Sequence, residues 1–216
     1  MNHPWNIIVV GGGPAGLNAA LILGRCRRRV LLYDSCKPRN AVSKSMHGFL
    51  SRDGIAPHEF LALGRDQLRK YLSVTVRDLE VFGARRAGKD FELIQSDSSQ
   101  SQCRKLILAT GLIDNLPDVP GMKDLYGKSV FLCPFCDGWE IRDEPLAIYG
   151  HGRQSIDLAL ELTLWRKGLV FCTGGEPMMD LGLRHPRTLY RRKCIHLSHA
   201  VEHCGRRRGS RGGVCR

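Results

Sequence analysis

The residues best suited to chemistry lie in one stretch, Phe131-Leu132-Cys133-Pro134-Phe135-Cys136-Asp137-Gly138-Trp139-Glu140. Two cysteines three apart can close a small disulfide ring or hold two thiols ready for exchange. The same spacing lowers the pKa of one thiol and makes a thiolate available. Zinc also uses cysteine pairs, but normally with a second pair of ligands at matching spacing. The chain has no second Cys-x-x-Cys. Two incidental loop cysteines are the plainer alternative. A small thioredoxin fold is argued against by position, because the pair lies more than 100 residues beyond a glycine-rich fingerprint.

That fingerprint is Gly11-Gly12-Gly13-Pro14-Ala15-Gly16. The apolar, β-branched run Asn6 to Val10 before it suits a buried parallel strand. The apolar run Leu17 to Leu23 after it reads as a helix, with the cations of 25–29 near its end, where they suit the dipole. Val30 to Tyr33 reads as a second strand that ends at Asp34. This is G-x-G-x-x-G with a strand before it, a helix after it and an acid about 20 residues on. Gly11 permits the tight turn, Gly13 lets the backbone approach a pyrophosphate, and Gly16 lets helix and strand pack closely. The helix N-terminus offers N–H groups and the positive end of its dipole to phosphate. Asp34 can accept hydrogen bonds from both hydroxyls of a ribose. A glycine-rich turn without a ligand is the alternative.

The remaining elements must hold these two sites. Met46 to Gly54 reads as a loop. His58 to Tyr71 reads as an amphipathic helix with Phe60, Leu61, Leu63 and Leu68 as its apolar residues. Leu79 to Phe82, Phe91 to Ile94 and Arg104 to Leu108 read as strands of a meander, with the polar run Ser96 to Gln102 as its turn. Glu144 to Tyr149 reads as a strand, followed by Gly150-His151-Gly152-Arg153-Gln154-Ser155, a helix over Ile156 to Trp165 and a strand over Leu169 to Cys172. This repeats the strand, glycine, helix, strand logic, with Ser155 in place of the third glycine. A βαβ unit without a nucleotide is again the alternative. Cys26, Cys36, Cys103 and Cys172 are scattered and read as small buried apolar residues.

Gly11 to Gly16 resembles the FAD site of flavoproteins built from two dinucleotide-binding domains. Lys105-Leu-Ile-Leu-Ala-Thr110-Gly111 resembles that family's second fingerprint, where the chain passes the flavin. Cys133-x-x-Cys136-Asp137 matches thioredoxin reductases residue by residue. The interior Pro-Phe and the following Gly-Trp-Glu resemble the subgroup that includes fungal dithiol oxidases. The resemblance implies FAD held by Gly11, Gly13, Pro14, Ala15, Gly16, Asp34, Thr110 and Gly111, with His47 near the isoalloxazine ring. It implies NADP or NAD at Gly150, Gly152 and Ser155. It also implies that Cys136 lies against the flavin, that Cys133 attacks the substrate disulfide and that Asp137 shuttles a proton to and from the departing thiolate. The implied partners are a thioredoxin-like protein or a small-molecule disulfide or dithiol, and the implied assembly is a homodimer.

The expected fold class is α/β. A three-layer ββα-type FAD-binding domain spans 1–117, and a partial nucleotide-binding domain with the cysteine pair spans 118–177. An irregular basic tail spans 178–216. From Met178 onward ten Lys and Arg face two acids, a net of +8, which leaves only +4 of the total +12 for the first 177 residues. The basic character therefore belongs to the tail and argues against a nucleic-acid-binding face. In the tail, Cys194, His196, His199, His203 and Cys204 fit no closed zinc pattern, and Arg206 to Arg208 read as a solvated end. The family pattern covers about 5–177 and then stops, so a shortened or frame-shifted product, inactive as a flavoprotein, is one expectation. No apolar run approaches the roughly 20 residues that span a bilayer. Ile7 to Val10 runs straight into glycines instead of a cleavage site. The expected location is the cytoplasm.

Overall fold

The computed structural model describes residues 5–173 and 189–191. The chain divides into two compact units, residues 1–115 and 116–216. The first contains β1 (Trp5–Val10), α1 (Pro14–Arg25), β2 (Val30–Tyr33), α2 (Pro57–Leu68), β3 (Val74–Arg77), β4 (Val81–Ala87), β5 (Asp90–Gln95) and β6 (Gln100–Leu108). The second contains α3 (Met122–Leu125), α4 (Pro134–Asp137), β7 (Leu146–Tyr149), α5 (Gly152–Leu162), β8 (Leu169–Cys172) and β9 (Leu189–Arg191). Among the described residues no helix is long and apolar enough to cross a membrane.

The first unit is one six-stranded sheet in the order β3-β2-β1-β6-β5-β4. The strands β3, β2, β1 and β6 run parallel, while β5 and β4 turn back antiparallel as a meander. The central strands β1 and β2 are covered on both faces, which is why Ile7 to Val10 and Val30 to Tyr33 read as unbroken apolar runs. Ile7 and Val9 of β1 and Val30 and Leu32 of β2 pack against Leu17 and Ala20 of α1 and Leu68 of α2. Alternate residues Ile8, Val10, Leu31 and Tyr33 bury themselves with Leu93 and Cys103 on the other face. Each such large apolar side chain contributes about 1.5–3 kcal/mol. The centre of the sheet is thereby packed on both faces, and the glycine-rich turn and Asp34 follow the C-terminal ends of β1 and β2.

The second unit has a three-stranded parallel sheet in the order β7-β8-β9. Ile148, Leu169 and Phe171 pack against Ile156 and Ala159 of α5.

Several expectations shift. α1 begins at Pro14 and α5 at Gly152, three and four residues before the apolar runs, because the glycine-rich turns themselves form the first helical turn. α5 ends at Leu162, and 163–165 form a turn. β3 was not anticipated; its four residues pair in register with β2. β4 runs to Ala87 because its backbone pairs with β5 that far, although its outer residues are exposed; Arg85 also pairs with Glu92 of β5. β6 begins at Gln100, so the connecting turn is shorter than the polar run suggested. β9 lies in the stretch expected to be irregular and pairs with β8. Cys103 and Cys172 are buried as expected, but Cys26 and Cys36 are exposed, because both sit in turns beyond the ends of elements. The possible tail zinc ligands and the 206–208 arginines lie outside the described residues.

Candidate functional site

The first site forms where three segments meet at the carboxyl ends of the central strands. The Gly11 N–H donates to the Tyr33 carbonyl at 2.8 Å, and the Ala109 N–H donates to the Val10 carbonyl at 2.8 Å. Gly11 therefore sits between the ends of β2 and β6. Its φ of 112° lies where side chains are strained, and a Cβ there would overlap the Ala109 carbonyl. A Cβ on Gly16 would overlap the carbonyl of Gly11. These two glycines exist for close approach of backbone to backbone. Thr110 and Gly111 follow directly and are exposed, with Gly111 at φ 70°.

Gly13 differs, because nothing lies within 4 Å of where its Cβ would stand. It is the N-cap of α1, in extended conformation, with no side chain capping the helix. Pro14, the first helical residue, has no N–H to give. The amides of Ala15 and Gly16 have no intrahelical acceptor. This open, uncapped end of a 12-residue helix has the chemistry to take a pyrophosphate.

Asp34 folds over Gly12, so closely that a Cβ at Gly12 would overlap the carboxylate. The G-x-G variable position is thus a glycine here for the sake of Asp34. Asp34 Oδ1 accepts the Cys36 N–H at 2.9 Å, and Oδ2 accepts from Arg65 of α2. The carboxylate expected to accept from both hydroxyls of a ribose has one protein donor on each oxygen. A carboxylate offers about four lone-pair positions, so two remain for a diol. Arg65 also bonds Asp78 Oδ1 at 2.8 Å and lies 3.6 Å from Cys36 Sγ. Burial pulls the Arg65 pKa down, but the bonds to Asp34 and Asp78 outweigh it and raise it above that of free arginine. Burial pushes the Cys36 thiol up, and the charges of Asp34 and Asp78 add to this. Donor atoms of Asp34, Cys36 and Asp78 all lie within 4.8 Å of one another, and the cation they share is Arg65.

Neither Arg65 nor Asp78 was singled out from sequence. A signal existed for Arg65. It stands four residues after Leu61 and three before Leu68, on the apolar stripe of α2, where a cation requires a partner.

His47 is half-buried in a loop closed by a bridge between Met46 and Ile55. Ser45 Oγ lies 2.9 Å from its Nε2, and Asp53 Oδ1 lies 3.5 Å from its Nδ1. Phe49 packs edge-on against Phe60 of α2 at 5.1 Å and ties this loop to the helix.

In the second unit Cys133 and Cys136 form a disulfide, with Cα atoms 5.3 Å apart. Cys133 caps the short α4, and its carbonyl accepts the Cys136 N–H at 3.2 Å and the Asp137 N–H at 3.3 Å. Pro134 starts the turn, which its fixed φ favours. Asp137 is adjacent to the pair and half-buried. Phe135 meets the Trp165 ring edge-on at 5.5 Å, and Trp165 covers Gly138, where a Cβ would strike the ring. Trp165 therefore holds the turn in place, a role the sequence did not reveal.

At the second glycine-rich turn, Gly150 donates its N–H to the Cys172 carbonyl at 3.0 Å. Ser155 fills the space over Gly150, and its hydroxyl donates to the His151 carbonyl at 3.0 Å. Gly152, at φ 73°, opens α5 with nothing within 4 Å of its Cβ position.

The described chain thus combines a mainly parallel α/β sheet, an open glycine-rich helix start facing an acid, and a Cys-x-x-Cys disulfide in its second unit. The chain belongs to the pyridine nucleotide-disulphide oxidoreductase family, whose model matches residues 5–182. It is 38% identical over 185 residues to a probable thioredoxin reductase of Arthroderma benhamiae, covering 82% of this chain and 46% of that one. It is 34% identical to thioredoxin reductase tcpT of Claviceps purpurea, covering 74% of this chain and 55% of that one. Among solved structures, a putative thioredoxin reductase TrxB from Bacillus anthracis superposes with a TM-score of 0.79 at 37% identity, over 81% of this chain and 59% of that one. HlmI superposes with a TM-score of 0.78 at 39% identity, over 82% of this chain and 56% of that one. The chain spans about half the length of the curated relatives it matches.

Proposed function

We propose that this chain carries the FAD-binding and disulfide-bearing parts of a thioredoxin reductase-like oxidoreductase. The observation that carries the reading is the Cys133–Cys136 disulfide beside Asp137, on a chain whose first unit presents an open glycine-rich turn to Asp34. In this reading 1–117 hold FAD through Gly11, Gly13, Pro14, Ala15, Gly16, Asp34, Thr110 and Gly111. His47 contributes to the same site. Residues 118–177 hold NAD(P)H at Gly150, Gly152 and Ser155. Bound FAD supplies or accepts the electron pair that interconverts the cysteine disulfide and dithiol.

The chain's own residues then perform thiol–disulfide exchange. With the pair reduced, the Cys133 thiolate attacks one sulfur of a substrate disulfide. That S–S bond breaks, and Asp137 gives its proton to the departing thiolate. Cys136 passes its proton to the Asp137 carboxylate and attacks Cys133 Sγ in the mixed disulfide, and Asp137 returns that proton to the second leaving thiolate. The second substrate thiol leaves, and the Cys133–Cys136 bond reforms. The substrate is a thioredoxin-like protein or a small disulfide, and the reverse sequence oxidises a dithiol. The free thiols of Cys26, Cys36 and Cys103 suit a reducing compartment, which supports a cytoplasmic location.

The purified, desalted chain should show two visible flavin bands near stoichiometric strength. A chain that stays colourless after refolding with FAD overturns the cofactor assignment. Reduced Cys136→Ser, exposed to glutathione disulfide, should hold glutathione on Cys133 when peptides are mapped. Cys133→Ser should show far less at Cys136, and equal capture would reverse or erase the two roles.

A further inference from the structure

Arg65 is a half-buried cation on the apolar stripe of α2, its side chain 30% exposed, and its partners are all at the strand ends beside the glycine-rich turn. One nitrogen bonds Asp34 Oδ2 and approaches Cys36 Sγ at 3.6 Å; the other bonds Asp78 Oδ1 at 2.8 Å. The carboxylate of Asp34 is therefore gripped on one oxygen by Arg65 and on the other by the Cys36 amide. It is pressed against Gly12 from the third side. The Asp34 N–H, donated to the Arg77 carbonyl at 3.0 Å, fixes its backbone to the end of β3. Few rotamers are left to this side chain.

Charge makes the arrangement more specific. Two carboxylates share one guanidinium, so the cluster keeps a net charge of −1 instead of cancelling. Asp34 stays a good acceptor, with about two free lone-pair positions, and does not become an ion pair spent on its own partner. A fixed, still-anionic carboxylate suits two neighbouring hydroxyls and repels a phosphate at the same place.

We infer that Arg65, shared with Asp78, is the positioning residue for adenosine-ribose recognition at the first glycine-rich turn, acting through Asp34. This rests on the assignment of FAD to that turn. Holding the carboxylate in advance removes the ordering cost that a mobile aspartate would meet on binding.

The test is a double-mutant cycle on the full chain, read by FAD affinity from quenching of flavin fluorescence. Arg65→Met keeps the apolar stem and removes the fork. It should raise the FAD dissociation constant about tenfold, the effect of one hydrogen bond to a charged group. In the Asp34→Ala background the same change should have no further effect, because its target is gone. Equal weakening in both backgrounds would show that Arg65 merely ties α2 to the sheet, and would overturn the inference. Arg65→Lys keeps the charge without the fork and provides a second variant should Arg65→Met not fold; it should weaken FAD about threefold. Affinity unchanged by Arg65→Lys or Arg65→Met, with wild type binding FAD, overturns the role of Arg65 alone. A wild-type chain that binds no FAD overturns the site assignment and this inference with it.

Discussion

The chain builds the same local idea twice, and the two versions are unequal. At the first turn, Gly11 and Gly16 meet backbone to backbone, Asp34 closes over Gly12, and the residues after β6 border the loop. At the second, Ser155 replaces the small partner, its hydroxyl satisfied by His151, and the variable position is an exposed His151. At Gly11, Gly12 and Gly16 the first turn is closed by backbone or by the Asp34 carboxylate and only Gly13 is open, whereas the close neighbour of Gly150 in the second is a side chain. Tight packing of a glycine-rich turn makes a site exact and also makes it fragile, because backbone cannot move aside as a side chain can.

The largest expected effect follows from that contrast. Gly16→Ala places a methyl group into the Gly11 carbonyl. It should cost about 3 kcal/mol or more, at the upper end of overpacking, measured by urea denaturation. Ser155→Gly at the matching position should cost only about 1 kcal/mol, the usual price of glycine in a helix. Similar losses at the two positions would break the comparison.

Next in size is Asp34→Ala. Losing two hydrogen bonds to a charged acceptor should weaken FAD about 100-fold or more, by fluorescence titration. Unchanged affinity would mean that the carboxylate does not meet the ribose.

Smaller and sharper is the variable position. Gly12→Ala should displace the Asp34 carboxylate and weaken FAD several-fold, roughly one order of magnitude at most. His151→Ala, its counterpart, should leave the melting temperature of the chain within about 1 °C, as exposed substitutions usually do. If Gly12→Ala binds FAD normally, Asp34 has room that the structure does not give it.

A last comparison concerns the thiols. Cys26 is exposed in the turn after α1, while Cys103 is buried and its pKa is raised chiefly by that burial. In the native chain iodoacetamide should label Cys26 well before Cys103, checked by peptide mapping. Because the shift delays formation of the thiolate, raising the pH should favour Cys26 first. Prompt labelling of Cys103 would show the sheet opening at β6.

Sequence alone determined the two βαβ patterns, since unbroken β-branched runs beside glycine-rich turns have few other solutions. It also located the cysteine pair and the acid at the end of β2, because spacing along the chain sets those. It fell short wherever a partner came from far away. β3 is four residues whose strand character depends on pairing with β2. The length of β4 depends on its backbone pairing with β5, from Val81 opposite Gln95 to Ala87 opposite Asp90. The reach of Trp165 to Gly138 spans a helix and two turns.

The grip on Asp34 belongs to the same class. Local sequence put an acid after β2, but it could not say that an arginine 31 residues later would take one of its oxygens. That was decided when α2 packed beside α1, with Leu68 joining the core, and carried Arg65 with it. Residue types and near spacings fix what chemistry a chain can offer. Which groups face one another, and which lone pairs remain free, depends on packing between distant segments, and only the tertiary structure supplies it.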